Sequence, residues 1–345
     1  MRFVAIADLH AHDWQDCSEL LSTGRNSRLN DLLDSLNYVK EYCRRKKIKN
    51  VFVLGDVFHA RGVIKVNVFS EVYAFFSQWS READLSFLVG NHDWNFDLKS
   101  HSLEAFARFG KVVARPQAMV WENIYGSSYC NDQAVLKDLI KKVRKDKYDV
   151  VLMHQGIGGV PAGNGYYIGE LISKTELPKD KIVLSGHYHE HRRIQKNAWY
   201  VGSLLQLNWG DVGVKKYFLD VDTIRGTVTP VLSKGPSFVE LEVVKSFVSD
   251  SVGPLVRGNF VRVKLASNKS SHAESIREQL VRLKARFVTV ATESSEDSSY
   301  VPLKTTEMDE LVTGYVRRSE TKLDKKSLVR IGKEVVSAAS EERKL

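Results

Sequence analysis

The residues able to do metal chemistry fall in five short clusters: Asp8-Leu9-His10, Gly55-Asp56-Val57-Phe58-His59, Gly90-Asn91-His92-Asp93, His154 and Gly186-His187-Tyr188-His189. Aspartate, asparagine and histidine without thiolate form an oxygen and nitrogen donor set that suits divalent ions, Mn²⁺ first, with Mg²⁺, Fe²⁺ or Zn²⁺ as alternatives. A carboxylate can bridge two cations, whereas an imidazole turns one lone pair toward a site, so Asp56 is the candidate bridge. One ion is then expected on Asp8, His10, Asp56 and His189, and the other on Asp56, Asn91, His154 and His187. Two ions roughly 3.5–4 Å apart clamp the attacking and leaving oxygens of an in-line displacement at phosphorus and supply a nucleophile from water near neutral pH. His92 adjoins a ligand but is needed in neither set, which makes it the candidate general acid for the leaving oxygen, with Asp93 as its orienting carboxylate.

Spacing adds a geometric expectation. Asp8 and His10 are two residues apart, as are His187 and His189, and extended backbone sends such a pair to one side, so each should form a pincer. The glycine before Asp56, Asn91 and His187 lets the chain turn and leaves room beside the ions. A lone buried histidine is usually only a hydrogen-bonded core residue; seven ligand types in one order carry more weight. Nothing requires His12 or His191 as a ligand, and His101 and His272 read as surface residues at helix starts.

The elements that must position these clusters follow from hydrophobic periodicity. Strands are expected at 3–7, 51–54, 85–89, 150–153 and 182–184, and helices at 29–43, 66–79 and 136–143, which is α/β wiring. Each cluster then sits at a strand's C-terminal end, and in an open α/β sheet those ends share one edge. Runs at 199–201, 217–221 and 227–231 read as an antiparallel meander closing the sheet. After Lys234-Gly235-Pro236 the order strand, strand, helix, strand implies a small α+β module, its helix opened by a Ser271/Glu274 capping box. A Ser- and Glu-rich linker follows, then two amphipathic helices. The first carries Met308, Leu311, Val312, Tyr315 and Val316, and the second Leu328, Ile331, Val335 and Ala338 after an Asp324 cap.

Taken in order, D-x-H, GD, GNHD, H and GHxH make the chain resemble the calcineurin-like metallophosphoesterases over roughly its first two-thirds. Within them, His59 three residues past Asp56, Met153-His154-Gln155, and Tyr200-Val201-Gly202-Ser203 followed by Trp209-Gly210-Asp211 are similar to the Mre-eleven/SbcD nucleases. Ala11 and His12 depart from the Leu-Gly that usually follows D-x-H. The resemblance implies a four-layer αββα sandwich over residues 1–234, a capping, DNA-contacting module over 235–296, and over 297–345 a linker and a helical pair that grips an SMC-like ATPase of the SbcC/Rad-fifty type. It also implies that His59 assists phosphate handling beside His92, and that Ile64, Val68, Val72 and Phe75 lie where those nucleases form a homodimer, although core packing explains the same residues. Tailed-phage recombination subunits share this compact length.

Composition fits that picture and excludes others. A net charge of +9 suits a polyanionic partner such as DNA. Basic runs at 44–47 and 141–147 could track phosphates, and solvated helix faces explain them equally. No GxxxxGK[ST] run is present, so an ATPase must be another chain. No apolar run reaches the ~18 residues of a membrane span, and no signal-peptide core follows Met1, so the expected location is the cytoplasm, the host's if phage-encoded. Cys17, Cys43 and Cys130 lack zinc or disulfide spacing and read as free thiols. The expected function is metal-dependent exo- and endonucleolytic hydrolysis of DNA in recombination or repair. The alternatives are a stand-alone phosphodiesterase or phosphatase on nucleotides or phosphoproteins, and a catalytically idle DNA-end-binding subunit.

Overall fold

The computed structural model describes residues 1–115, 117–121, 123–160, 171–243, 250–266, 271–293, 313, 316 and 324–342. Residues 1–292 form one compact unit and 293–345 a second. The first unit begins with β1 (Arg2–Ile6), α1 (Ser27–Lys46), β2 (Asn50–Leu54), α2 (Val66–Trp79), β3 (Asp84–Leu88), β4 (Lys111–Val113), β5 (Gln117–Trp121), β6 (Ile124–Ser127) and α3 (Gln133–Lys145). There follow β7 (Val150–His154), β8 (Ile157–Gly158), β9 (Ile172–Ser173), β10 (Ile182–Gly186), β11 (Arg192–Gln195), β12 (Ala198–Tyr200), β13 (Tyr217–Asp222) and β14 (Thr227–Leu232).

Two six-stranded sheets result, ordered β14-β13-β1-β2-β3-β4 and β11-β12-β10-β7-β6-β5. The central strands β1, β2, β3, β7 and β10 are buried on both faces, which is why they read as unbroken apolar runs. Alternate residues go opposite ways: Val4, Ile6, Val51 and Val53 meet α1 and α2. Phe3, Ala5, Phe52 and Leu54 meet Val150, Leu152 and Leu184 of the other sheet, whose outward Val151, Met153 and Val183 pack on Leu136, Ile140 and Val143 of α3. This is the αββα sandwich. Each fully buried aliphatic or aromatic side chain contributes about 1.5–3 kcal/mol relative to exposure, so the dry seam between sheets holds the halves in fixed relation. Side-chain caps fix the starts of α1 and α3, where Asn26 accepts from the Arg28 and Leu29 amides and Asp132 from those of Ala134 and Val135, whereas α2 starts at Lys65 without one.

Several expectations are corrected here. The clusters lie on two sheets, not one: β1, β2 and β3 belong to the first and β7 and β10 to the second. The meander is likewise split, because β12 pairs in parallel with β10, while β13 and β14 form the antiparallel edge of the first sheet. Val68 and Val72 are 2% and 0% exposed and belong to the core, with Ile64 and Phe75 partly buried against it, so core packing accounts for Val68 and Val72.

Beyond the sandwich, β15 (Phe238–Val243), α4 (Gly253–Val256), β16 (Phe260–Ala266), α5 (Ala273–Arg282) and β17 (Phe287–Glu293) form the α+β module, a three-stranded sheet ordered β15-β16-β17. Its core is Val239, Val261, Val263, Leu265, Ile276 and Leu280. The capping box is not formed, since α5 starts one residue later, with His272 at the cap and no side-chain cap bond. The module rests on the sandwich through Phe238 and Phe260, which cluster with Cys17, through the Arg28 guanidinium over both rings, and through an Arg286–Asp31 ion pair at 2.6 Å.

In the second unit α6 (Lys325–Glu342) begins at Asp324, whose carboxylate accepts from the Lys326 and Ser327 amides. The expected first terminal helix lies outside the described residues apart from Thr313 and Val316, as do most of the linker and residues 161–165 of the glycine-rich loop after His154. No helix among the described residues is long and apolar enough to cross a membrane.

Candidate metal centre

All five clusters meet where the two sheets end side by side. The loops after β1 and β2 are laced together: the Asp8, His10 and Ala11 amides donate to the Gly55, Asp56 and Val57 carbonyls, and the His59 amide returns a bond to Ala11. Asp8, His10 and Asp56 are held at φ 52, 45 and 52, and His187 at φ 87. The left-handed region is rare for residues with a Cβ and concentrates at functional sites. The two D-x-H-type pincers therefore do not arise from strand alternation. Both begin beyond their strands, and left-handed turns bring their rings inward.

The result is a cradle in two halves. Asp8, His10 and His189 bring one ligand atom each within 4.8 Å of the others, and so do Asp8, Asp56 and His154. His10 Nε2 and His189 Nε2 are 3.0 Å apart. In the second half Asn91 Oδ1 is 3.0 Å from His154 Nε2 and 2.9 Å from His187 Nδ1. Asp56 Oδ2 lies between the halves, 3.6 Å from His10 Nε2 and 3.3 Å from His154 Nε2, while its Oδ1 accepts from the His92 amide. One oxygen of one carboxylate is thus shared, as a bridge requires.

Other contacts orient the ligands. His154 Nδ1 donates to the Leu54 carbonyl at 2.6 Å, which turns Nε2 inward. Asp8 Oδ1 accepts from the His187 amide, whereas its buried Oδ2 has no hydrogen-bond partner among the described residues. Space is reserved by glycine: a Cβ on Gly55 or Gly186 would run into the His154 ring, and one on Gly90 into the Asp56 amide and carboxylate. A buried carboxylate oxygen left bare, imidazole nitrogens facing one another, and glycine relief around them fit a pair of divalent cations.

Electrostatics agree with that use. Burial, reinforced by neighbouring charge, holds the His10 imidazole well below its ordinary range and His59, His187 and His189 at about 4, so their lone pairs are available at neutral pH. Burial and the nearby Asp56 carboxylate push Asp8 up to about 8. Burial also raises Asp56, but His154 outweighs it and holds that carboxyl below the usual range.

His92 and His59 stand beside the first half. Their rings stack at 5.3 Å, His92 lies 4.8 Å from His10, and His59 Nδ1 is 3.3 Å from His10 Nδ1. His92 Nδ1 donates to the His59 carbonyl at 2.6 Å, leaving Nε2 to exchange a proton with a bound substrate. This corrects the role expected of Asp93. Its carboxylate is 2% exposed and accepts from the Val57, Phe58 and Gly90 amides, pinning the GD and GNHD loops together. Consecutive side chains diverge, so adjacency in sequence did not make Asp93 a partner of His92.

Histidines outside the ligand set have structural surroundings: His191 Nδ1 donates to the Tyr200 carbonyl, and His12 packs at 4.9 Å on Trp14. His101 is half-buried against Trp94, not a surface residue. Sequence reasoning missed Tyr129, stacked on His187 at 6.0 Å, and Lys216, bonded to the His189 carbonyl at 2.9 Å. Lys215-Lys216 reads as surface charge, and only the preceding Trp209-Gly210-Asp211 hinted at anything more.

A calcineurin-like phosphoesterase family model matches residues 1–191, and the chain belongs to that family. The family's chemistry is phosphoester hydrolysis at a dinuclear divalent metal centre. Similar solved structures include a dimetal phosphatase from Danio rerio, at 12% identity and TM-score 0.40, covering 64% of this chain and 91% of that one. Another is the nuclease MPE of Pseudomonas putida, at 15% identity and TM-score 0.32, covering 66% and 87%.

Proposed function

We propose that the chain is a Mn²⁺-dependent DNA nuclease of the Mre-eleven/SbcD type. The observation that carries this is the stacked His59–His92 pair beside the shared carboxylate. Phosphodiester cleavage expels an alkoxide, which needs a proton, and His92 Nε2 is positioned to give one while the His59 carbonyl fixes the ring. His59, neutral by burial, offers a second ring next to it for a phosphate oxygen. When bound, the two cations supply Lewis acidity and an activated water. The α+β module docked on Arg28 and Asp31 adds a surface beside the site that a small phosphate monoester does not need.

The nuclease works, in this reading, as a homodimer in DNA recombination or repair, with an SMC-like ATPase gripped by the terminal helices. Purified protein with Mn²⁺ should degrade labelled single-stranded and duplex DNA. Turnover of p-nitrophenyl phosphate alone would overturn the nuclease reading in favour of a phosphatase, and DNA binding without turnover under every divalent ion would leave only an end-binding role. Co-purification with the ATPase, lost on removing residues 306–345, tests the partner.

A further inference from the structure

Lys216 ends the loop that joins β12 to β13, and it is 6% exposed. Its ammonium donates to the His189 carbonyl at 2.9 Å and to Asp211 Oδ1 at 2.8 Å. The same carbonyl accepts from the Ser203 amide at 3.1 Å and faces Ser203 Oγ at 3.3 Å. The other Asp211 oxygen takes the Leu207 amide at 2.7 Å, closing the loop on itself. Burying an ammonium costs several kcal/mol even when it is paired, and an aliphatic residue would fill the same volume without that cost. Placing it near a cradle for two cations adds repulsion.

What the charge does is hold one peptide. The carbonyl belongs to the residue whose Nε2 stands 3.0 Å from His10 Nε2, and fixing that peptide fixes the direction of the ring. The loop is held from the other side as well. Trp209 packs on Phe238 at 4.7 Å and beneath the Arg262 guanidinium at 4.1 Å, and Gln206 Oε1 accepts from the Phe238 amide at 2.6 Å. We infer that Lys216, anchored by Asp211, is a positioning residue that sets His189 in the Asp8/His10/His189 half of the centre and ties that half to the α+β module.

The inference rests on the dinuclear reading of the site, not on DNA being the substrate, and its test uses no DNA. Full-length Lys216→Met, Lys216→Arg and Asp211→Asn are titrated with Mn²⁺ by calorimetry and paramagnetic resonance, alongside thermal melts. In Lys216→Met one ion should bind about 10–100-fold more weakly, as on loss of a residue that orients a ligand. The other ion should keep its affinity, and the spin-coupled signal should need correspondingly more Mn²⁺. Lys216→Arg should restore most of the affinity, and Asp211→Asn should shift the same ion by less. Unchanged binding of both ions in folded Lys216→Met overturns the inference, as does equal weakening of both or an arginine variant no better than methionine. Should Lys216→Met fail to fold, an unchanged titration of Asp211→Asn overturns it instead.

Discussion

The two halves of the metal cradle differ in whether any of their ligands stands on a strand. The Asn91/His154/His187 half has one strand-borne ligand, His154, which is the last residue of β7 and clamps the Leu54 carbonyl of the other sheet, while Asn91 and His187 stand on loops, His187 in left-handed backbone. The Asp8/His10/His189 half is loop-borne, with Asp8 and His10 in left-handed backbone and His189 held by Ser203 and Lys216 from a distant loop. Left-handed backbone costs roughly 1–2 kcal/mol per residue, which other contacts must offset. One half thus has a ligand fixed directly by the sandwich, while the other depends wholly on loop contacts and on the module beyond them.

Removing the carboxylate that the halves share does the most damage. Asp56→Asn should weaken both ions and lower kcat/KM on a phosphodiester on the order of 10³-fold or more, because several kcal/mol of charge stabilisation go with them; near-normal turnover would show that no shared carboxylate is needed. His92→Ala should cost about 10²–10⁴-fold on DNA while Mn²⁺ titrations stay as in the wild type. That loss should shrink for a p-nitrophenyl ester, whose leaving group needs no proton, and an equal loss on both substrates would remove the acid role.

Smaller effects sharpen the contrast in stiffness. Gly90→Ala drives a methyl into Asp56 and should lower stability by about 1–3 kcal/mol in denaturant titrations, with weaker metal binding. His154→Ala strands the Leu54 carbonyl and should cost about 1–3 kcal/mol in the metal-free protein, whereas half-buried His189→Ala should cost little. Equal melts of the two would contradict the difference between strand-borne His154 and loop-borne His189. Asp220, on β13 away from both, is a control. Burial raises its carboxyl, but hydrogen bonds from Arg2 and Tyr42 outweigh this and hold it below the usual range. Its folded value being depressed, its stabilisation is present above the ordinary carboxylate range and lost as pH falls through the folded value. Asp220→Asn should therefore cost about 1 kcal/mol at neutral pH, with the gap to wild type closing in acid, and leave metal binding alone.

The gathering of the candidate ligands at one rim was legible in the sequence because each sits in a short cluster at the end of an apolar run, and the long helices were legible because α1 and α2 bury one continuous stripe. Which sheet each strand joins was not, since a run buried on both faces looks the same in either. Short β4, β6 and β11 escaped for want of a period. Alternation misled at Asp8-Leu9-His10, where left-handed backbone replaces the pleat. Asp93 was assigned to its neighbour, while its true partners are three amides from two loops. Lys216 had no local signal, because its purpose lies in a carbonyl 27 positions away.

Because three of the ligand loops issue from one sheet and two from the other, the inner faces that carry Phe3, Phe52, Val150 and Leu184 work as a spacer gauge. Trimming that greasy layer would let the decks slide, and the error would surface many residues away as a mis-set gap between cations. Turnover would therefore register a methylene lost from the interior as well as a melting curve does.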